Sequence, residues 1–380
     1  MKILFLFIGE SHQVFHALPI AAEMAELGVL AQVAATCPAH LRTVEKVASA
    51  YPGFSPPITL LGQRGPAQWL RRLRISRHPR LPILLGALPW LRQFDAVVVP
   101  ERTTTAIQHF LPRGTRLIFT PHGAGDRAIT FDKRDRRFDF ALVAGEKSEQ
   151  RMLEEKTIRP GHYAVNGYVK LDLMARIQRT RPPLFDNDRP TVLYAPHFRR
   201  SLSSWDRFGR DVIRWFAGQN RYNLVVAPHV RLFSDAPQGE IDAVMRMAVP
   251  GKILIDLQSD RLFDMSYTSG ADIYLGDVSS QVYEFLATPR PCLFLNAHGV
   301  QRRDDPDYLF WTLGDVLDDL ASLPTAIDHA EARHPLYVDA QRRRLAESIG
   351  GDPTGAARRG AEAILHFLAK TNPDGKSSQS

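Results

Sequence analysis

The chain has 380 residues, more than one core organises comfortably and enough for two domains of about 150–200 residues each. A hydrophobic share of 44% with 23% charged residues excludes disorder on the scale of a domain, and two cysteines, Cys37 and Cys292, exclude a disulfide framework or a zinc site. Both cysteines sit in apolar, strand-like surroundings and are expected buried and reduced. The net charge of +7, carried mostly by arginine, suits anionic partners such as phosphates, nucleic acid or acidic lipid headgroups.

The opening run Ile3–Ile8 is short and lacks a small-residue cleavage site after it, so it predicts a buried first strand rather than an export signal. No apolar run approaches the ~20 residues needed to cross a bilayer. The expectation is a cytoplasmic protein, attached at most to the inner face of the cell membrane. Further apolar runs follow at Val29–Ala35, Ala96–Val99, Leu117–Thr120, Phe140–Val143 and Tyr163–Val165. After a break come Val192–Ala195, Leu224–Ala227, Ile253–Asp256, Ile273–Leu275 and Cys292–Asn296. Helical patterns lie between several of them, at Ala17–Leu27, Arg207–Phe216 and Gln281–Ala287. Strands buried on both faces and alternating with helices predict an α/β protein with doubly wound parallel sheets.

The break is Arg179–Arg189, RTRPPLFDNDR, a proline-rich polar stretch without periodicity that reads as an interdomain linker. It divides the chain into Rossmann-like domains at 1–180 and 181–370, facing a central cleft, with a disordered tail at 371–380. Asp352-Pro353 starts a C-terminal helix continuing through Ala356–Ala369, assigned here to the second domain.

In such sheets, ligands bind at the carboxyl ends of the strands, so the loops following each strand carry the functional weight. Gly9-Glu10-Ser11-His12 follows the first strand and precedes the helical run HALPIAAEMAELG. His12 there reads equally as a base or acceptor contact and as an incidental neighbour of a helix-capping Ser11. Thr120-Pro121-His122-Gly123 sets a histidine in a sharp turn, where a near-neutral imidazole suits proton removal from a hydroxyl; a purely structural turn histidine is the alternative.

Two further loops place histidine and arginine just past a proline: Pro196-His197-Phe198-Arg199 and Pro228-His229-Val230-Arg231. Cationic donors there would neutralise charge on a diphosphate as its leaving group departs. In ADIYLGDVSSQVYEF, a strand ends at Gly276-Asp277 and Ser279-Ser280 open a helix containing Gln281 and Glu284. The free N–H groups of a helix start and two hydroxyls would make an anion site without a lysine; an ordinary serine N-cap has the same pattern. Arg64–Arg92 interleaves arginines with Trp69, Leu70, Leu73 and Ile75 before the apolar run Leu81–Leu91. It suits an anionic membrane surface, or a solvated helix followed by a buried one.

Taken in order, TPHG, GYVKLD (Gly167–Asp172), YAPHFR, APHV and GDVSSQVYEF resemble the CDP-glycerol glycerophosphotransferase family, the polyol-phosphate transferases of teichoic acid-type synthesis. The resemblance spans roughly residues 117–296, and the segment before it is similar to GT-B glycosyltransferases in general. It implies a GT-B-like fold, an acceptor-side first domain and a second domain that binds a CDP-linked donor. It implies attack of an acceptor hydroxyl on the β-phosphorus with release of CMP. His122 then corresponds to the base, and His229 with the helix start steadies the diphosphate. The acidic-Ser-Ser element corresponds to Asp277, Ser279 and Ser280, with Glu284 at an acidic helix position. Gln281, His197, Arg199 and Arg231 complete the donor side, and Ser11, His12 and Gly123 lie on the acceptor side.

The chain departs from the family pattern in three motifs. Gly167–Asp172 replaces a basic Pro-Arg-Asn-Asp-like run, Val278 replaces an aromatic residue, and Val230 replaces a second proline. These differences bear on donor identity and polymer formation. The expected activity is transfer of glycerol phosphate, or a related polyol phosphate, from a CDP donor to a glycan or lipid-linked acceptor in cell-envelope polysaccharide synthesis. The alternatives are an inverting GT-B glycosyltransferase with His12 as base, and a non-catalytic nucleotide- or glycan-binding protein. An epimerase lacks its usual acidic set here, and no nucleic-acid-binding motif is present. No DxD-type carboxylate pair is suitably placed, Asp304-Asp305 and Asp318-Asp319 reading as solvated turns or helix surface. Helix dipole and cationic side chains supply the charge, so neither a metal nor another cofactor is expected.

Overall fold

The structure is a computed structural model that describes residues 1–63, 79–121, 132–178, 181–301, 306–350 and 354–371. The chain divides into two compact units, Met1–Ile177 with Ala346–Ser380, and Gln178–Leu345.

The first unit holds a parallel sheet of β1 (Ile3–Phe7), β2 (Gln32–Ala35), β3 (Ile58–Leu60), β4 (Ala96–Val99), β5 (Arg116–Phe119), β6 (Phe140–Val143) and β7 (Tyr163–Val165). Its order is β3-β2-β1-β4-β5-β6-β7. The central strands β1 and β4 are buried along their whole length, which is why they read as unbroken apolar runs. The edge strand β3 has only three residues, with Ile58 and Leu60 exposed, so its sequence carries no such signal.

The second unit holds β8 (Thr191–Ala195), β9 (Asn223–Val226), β10 (Ile253–Ile255), β11 (Ile273–Gly276), β12 (Cys292–Leu295) and β13 (Asp315–Leu317), in the order β10-β9-β8-β11-β12-β13. All pairings between its strands are parallel. Val192 and Tyr194 of β8 join Leu224 and Val226 of β9 in one core with Trp205, Phe208 and Phe216. The short edge strand β13 was likewise not anticipated. Two Rossmann-like parallel-sheet units thus match the expected fold class.

The C-terminal helix corrects the sequence reading. Ala356–Thr371 packs on the first unit, not on the second. Asn166 Nδ2 donates to Ala356 O at 3.2 Å, the Ala357 N–H donates to Asp172 at 3.1 Å, and Phe367 stacks on Phe140. The helix Val338–Ile349 carries the chain back across the unit boundary. Asp352-Pro353 and the tail from 372 lie outside the described residues. The polar stretch before β8 is tied down in the second unit: Arg181 donates to Asp264 O at 2.7 Å, and Asn187 donates to Gly251 O at 3.1 Å. Cys292 is buried, but Cys37 is only half-buried.

Candidate functional site

In the second sheet, β8 and β11 are neighbours while the chain leaves them for opposite edges. This is the topological switch point, where diverging loops leave a crevice at the strand ends. Gly276 permits the close approach there, since a Cβ would lie 2.8 Å from Ala195 O. The loop after β8 carries His197 and Arg199, and the loop after β11 carries Asp277 and Ser279.

Asp277 joins these loops. Its Oδ2 accepts the backbone N–H of His197 at 2.8 Å and that of Ser204 at 2.9 Å. Its Oδ1 is buried and has no hydrogen-bond partner among the described residues. Burial pushes this carboxyl up to about 7, against the two N–H bonds that favour its charge. Near neutrality it is poised between a neutral donor and a carboxylate.

The two Pro-His-x-Arg loops follow the paired strands β8 and β9 and are built alike. His197 Nδ1 accepts from Arg199 N–H at 3.0 Å, and His229 Nδ1 accepts from Arg231 N–H at 3.2 Å. Each bond leaves the Nε2 of the neutral ring as the protonated nitrogen. The His229 N–H donates to Pro196 O at 3.0 Å, fixing one loop against the other. Phe198 lies between them, its ring centroid 4.6 Å from His197 and 4.5 Å from His229. The guanidinium carbons of Arg199 and Arg231 lie 5.8 and 5.5 Å from the same ring. Four cationic or protonatable groups therefore gather on one aromatic platform.

The helix after Ser280 is shorter than expected, running only Gln281–Phe285, so its macrodipole contribution is small. Ser280 makes no side-chain cap; instead Ser279 Oγ accepts from Gln281 N–H at 3.3 Å. Glu284 is buried within that helix. Gln281 lines a recess of about 220 Å³, open to solvent, with Ala195, Ala227, Met265 and Tyr267, and its Oε1 is buried without a partner among the described residues.

Arg290 holds this region in place, a role with no sequence signal. Its guanidinium donates to the carbonyls of Thr268 at 2.8 Å, Ser269, Ala271 and Phe285, capping the ends of the helices Ser266–Gly270 and Gln281–Phe285. Burial pushes it down to about 10.

In the first unit, the loop after β1 turns through Ser11–Gln13 into the helix Val14–Glu26. Ser11 caps neither element with its side chain. His12 is half-buried with its Nδ1 3.5 Å from Glu10. The loop is pinned by the buried His40, whose Nε2 lies 3.1 Å from Gly9 O. Glu101, after β4, accepts from the N–H groups of Thr103 and Thr104 and organises the loop beside it, β1 and β4 being the switch point of the first sheet. Neither residue stood out in sequence. His122 and Gly123 lie outside the described residues, as do Asp304 and Asp305. Asp318 accepts from Asn296 Nδ2, and Asp319 accepts from Ser322 N–H ahead of the helix Leu323–Arg333.

Among the described residues, no group of three or more His, Cys, Asp and Glu side chains is placed to hold a metal ion, and no helix is long and apolar enough to cross a membrane. The structure therefore brings together His197, Arg199, His229, Arg231, Asp277 and Ser279 within one sheet end.

No protein-family model matches the chain, and no curated protein matches its sequence. Solved structures do. The wall teichoic acid polymerase TagF soaked with CDPG is 13% identical, with a TM-score of 0.63 over 97% of this chain and 89% of that one. MnaA of S. aureus with UDP is 15% identical, with a TM-score of 0.64 over 97% and 96% of the two chains. The UDP-GlcNAc 2-epimerase of Neisseria meningitidis bound to UDP-GlcNAc is 14% identical, with a TM-score of 0.59 over 97% and 100%. Likeness at this identity shows the fold: the chain is an α/β protein of GT-B type.

Proposed function

We propose that the second unit binds the diphosphate of a nucleotide-activated donor, and that the protein transfers glycerol phosphate or a related polyol phosphate from a CDP-linked donor. The observation that carries this reading is the convergence of two Pro-His-x-Arg loops on Phe198 beside the Asp277–Ser279 turn. Guanidinium and imidazole donors at a switch point suit a phosphate chain, and they stabilise charge as it builds on a leaving nucleotide.

In this reading, the oxygen of an acceptor hydroxyl forms a bond to the β-phosphorus. The bond from that phosphorus to the bridging oxygen breaks, and CMP leaves with the electron pair. The hydroxyl proton passes to His122, the base that the motif order assigns. His229 and His197 donate through Nε2 to the phosphate oxygens, with Arg199 and Arg231 facing the same charge. Ser279, Ser280 and Gln281 contribute hydroxyl and amide donors, and Asp277 holds the loop of His197 against its own. The acceptor is a glycan or lipid-linked hydroxyl in envelope polysaccharide synthesis, with Ser11, His12 and Gly123 on its side.

Contact with a membrane surface fits the helix Arg80–Leu91, which exposes Leu81 and Leu85 between Arg80 and Arg92. Arg92 Nε donates to the carbonyl of the exposed Phe110 at 3.0 Å, extending the apolar rim.

The UDP complexes of MnaA and of the epimerase favour a second reading, in which the donor is a UDP-sugar. Release of CMP from CDP-glycerol by purified protein, abolished in His122→Ala and retained in His12→Ala, supports phosphate transfer. Loss confined to His12→Ala contradicts it.

A further inference from the structure

Asp277 sets a carboxyl at the end of β11, against the loop that carries His197. It is 1% exposed, and its two oxygens have different surroundings. Oδ2 accepts the N–H groups of His197 and Ser204, so a proton on that oxygen would face two donors. Oδ1 is buried without a partner among the described residues, so the neutral acid carries its hydrogen there. Either state is costly as it stands. The carboxylate leaves Oδ1 an unsatisfied acceptor, and the neutral acid leaves it an unsatisfied donor.

The groups facing this carboxyl supply no counter-charge. Tyr194 of β8 and Tyr274 of β11 are fully buried, which holds both phenols neutral. The Tyr274 hydroxyl donates to Asp277 O at 3.2 Å, and the Tyr194 hydroxyl is paired with Ser204 Oγ at 2.9 Å. Asp206, on the same loop as Ser204, is exposed. No lysine or arginine among the described residues is set against the carboxyl, and burial raises it.

The histidines are held neutral by their own loops. The Nδ1 of His197 accepts the Arg199 N–H and that of His229 the Arg231 N–H, so neither ring takes a second proton without breaking that bond. Arg199 and Arg231 carry fixed charge. Within this cluster, Asp277 is therefore the group whose charge can change near neutral pH.

We propose that Asp277 takes up a proton when the crevice binds a diphosphate, and that its Oδ1–H then donates to a phosphate oxygen. The inference rests on the reading that the second unit takes a nucleotide diphosphate, and it gives the acid a direct contact besides its hold on the His197 loop. The proton comes from solvent and returns there when the ligand leaves. A charged Asp277 would repel the phosphate and leave Oδ1 without a partner, whereas the neutral acid removes the repulsion and adds a hydrogen bond.

The test is calorimetric titration of the full chain with CDP-glycerol and UDP-N-acetylglucosamine at pH 6, 7 and 8, each in two buffers of different ionisation enthalpy. Neither probe carries a phosphate monoester, so neither titrates a phosphate proton of its own in this range. Wild type should take up nearly one proton at pH 8 and close to none at pH 6, and should bind roughly tenfold more weakly at pH 8. Asp277→Asn puts a permanent N–H where the acid carries its hydrogen. That variant should bind without proton uptake and hold at pH 8 the affinity that wild type has at pH 6. A bracing role alone would not strengthen binding at pH 8. Wild-type binding without proton uptake would overturn the proposal, and so would uptake undiminished in Asp277→Asn, which would move the proton to the histidines. Should Asp277→Asn not fold, infrared difference spectra of wild type with and without CDP-glycerol at pH 8 decide. A protonated carboxyl band is expected on binding, and its absence overturns the proposal. Binding of neither probe at any pH overturns the diphosphate reading itself, an outcome distinct from binding without proton uptake.

Discussion

The two sheets share a strand order around their first strands, but their described strand ends carry different side chains. In the second unit the strand ends gather two histidines, two arginines and a buried aspartate around Phe198. In the first unit the described ends of β5, β6 and β7 gather Thr120, Asn166 and the rings of His16 and Tyr168, with the Arg359 guanidinium donating to Asn166 O at 3.0 Å. One architecture therefore carries different side chains at its two sets of strand ends. The scaffold sets where side chains meet, and a few loop residues set what they can hold.

The largest expected effect tests the charged end. Asp277 is raised from its ordinary 3.8 to about 7, so its contribution to stability is fully present below about pH 4 and is lost as pH rises to 7. Three pH units correspond to at most about 4 kcal/mol. Asp277→Asn keeps the acceptor for His197 and Ser204, so the urea stability of that variant should fall less steeply than that of wild type between pH 4 and 7. A slope unchanged from wild type would mean the carboxyl titrates normally.

Arg290→Met should cost roughly 3 kcal/mol or more by chemical denaturation, because several buried carbonyls lose their donor together. Gly167→Ala, its counterpart in the first unit, should cost about 2 kcal/mol from the left-handed backbone and the crowding against Arg359 and Ala356. Arg199→Ala and Arg231→Ala should each weaken CMP or diphosphate binding roughly tenfold while leaving the melting temperature within a few degrees. Smallest of all, Thr120→Val should change stability by less than about 1 kcal/mol and in the stabilising direction, since the hydroxyl it removes has no partner among the described residues.

Much of this comparison was legible in the sequence. Strands buried on both faces have to be apolar throughout, so the inner strands announce themselves, and the residues after them fall at the site. The strand runs then placed His197, His229 and Asp277 just after β8, β9 and β11, which lie side by side in the sheet. The short edges β3 and β13 escaped notice because half-exposed three-residue strands impose no pattern. The return of the C-terminal helix to the first unit was hidden because its partners, Asp172 and Asn166, lie far away in sequence. Arg290 was invisible for a related reason: its carbonyl partners come from separate segments that only the fold assembles. Phe198 stood in plain sight within a quoted motif, and an aromatic residue between histidine and arginine was the available signal. The helix after Ser280 was read too long; it ends at Phe285, where Arg290 takes the carbonyl and Pro289 follows.

The central claim is that the second unit holds a nucleotide diphosphate on its twin histidine–arginine loops. Calorimetric titration with CMP, CDP-glycerol, CDP-ribitol and UDP-N-acetylglucosamine tests it most directly, run on wild type and His229→Ala. The account predicts binding of CMP and a CDP-polyol, weakened in the variant. Preference for the UDP-sugar would replace the donor, and no binding to any of the four would contradict the site itself.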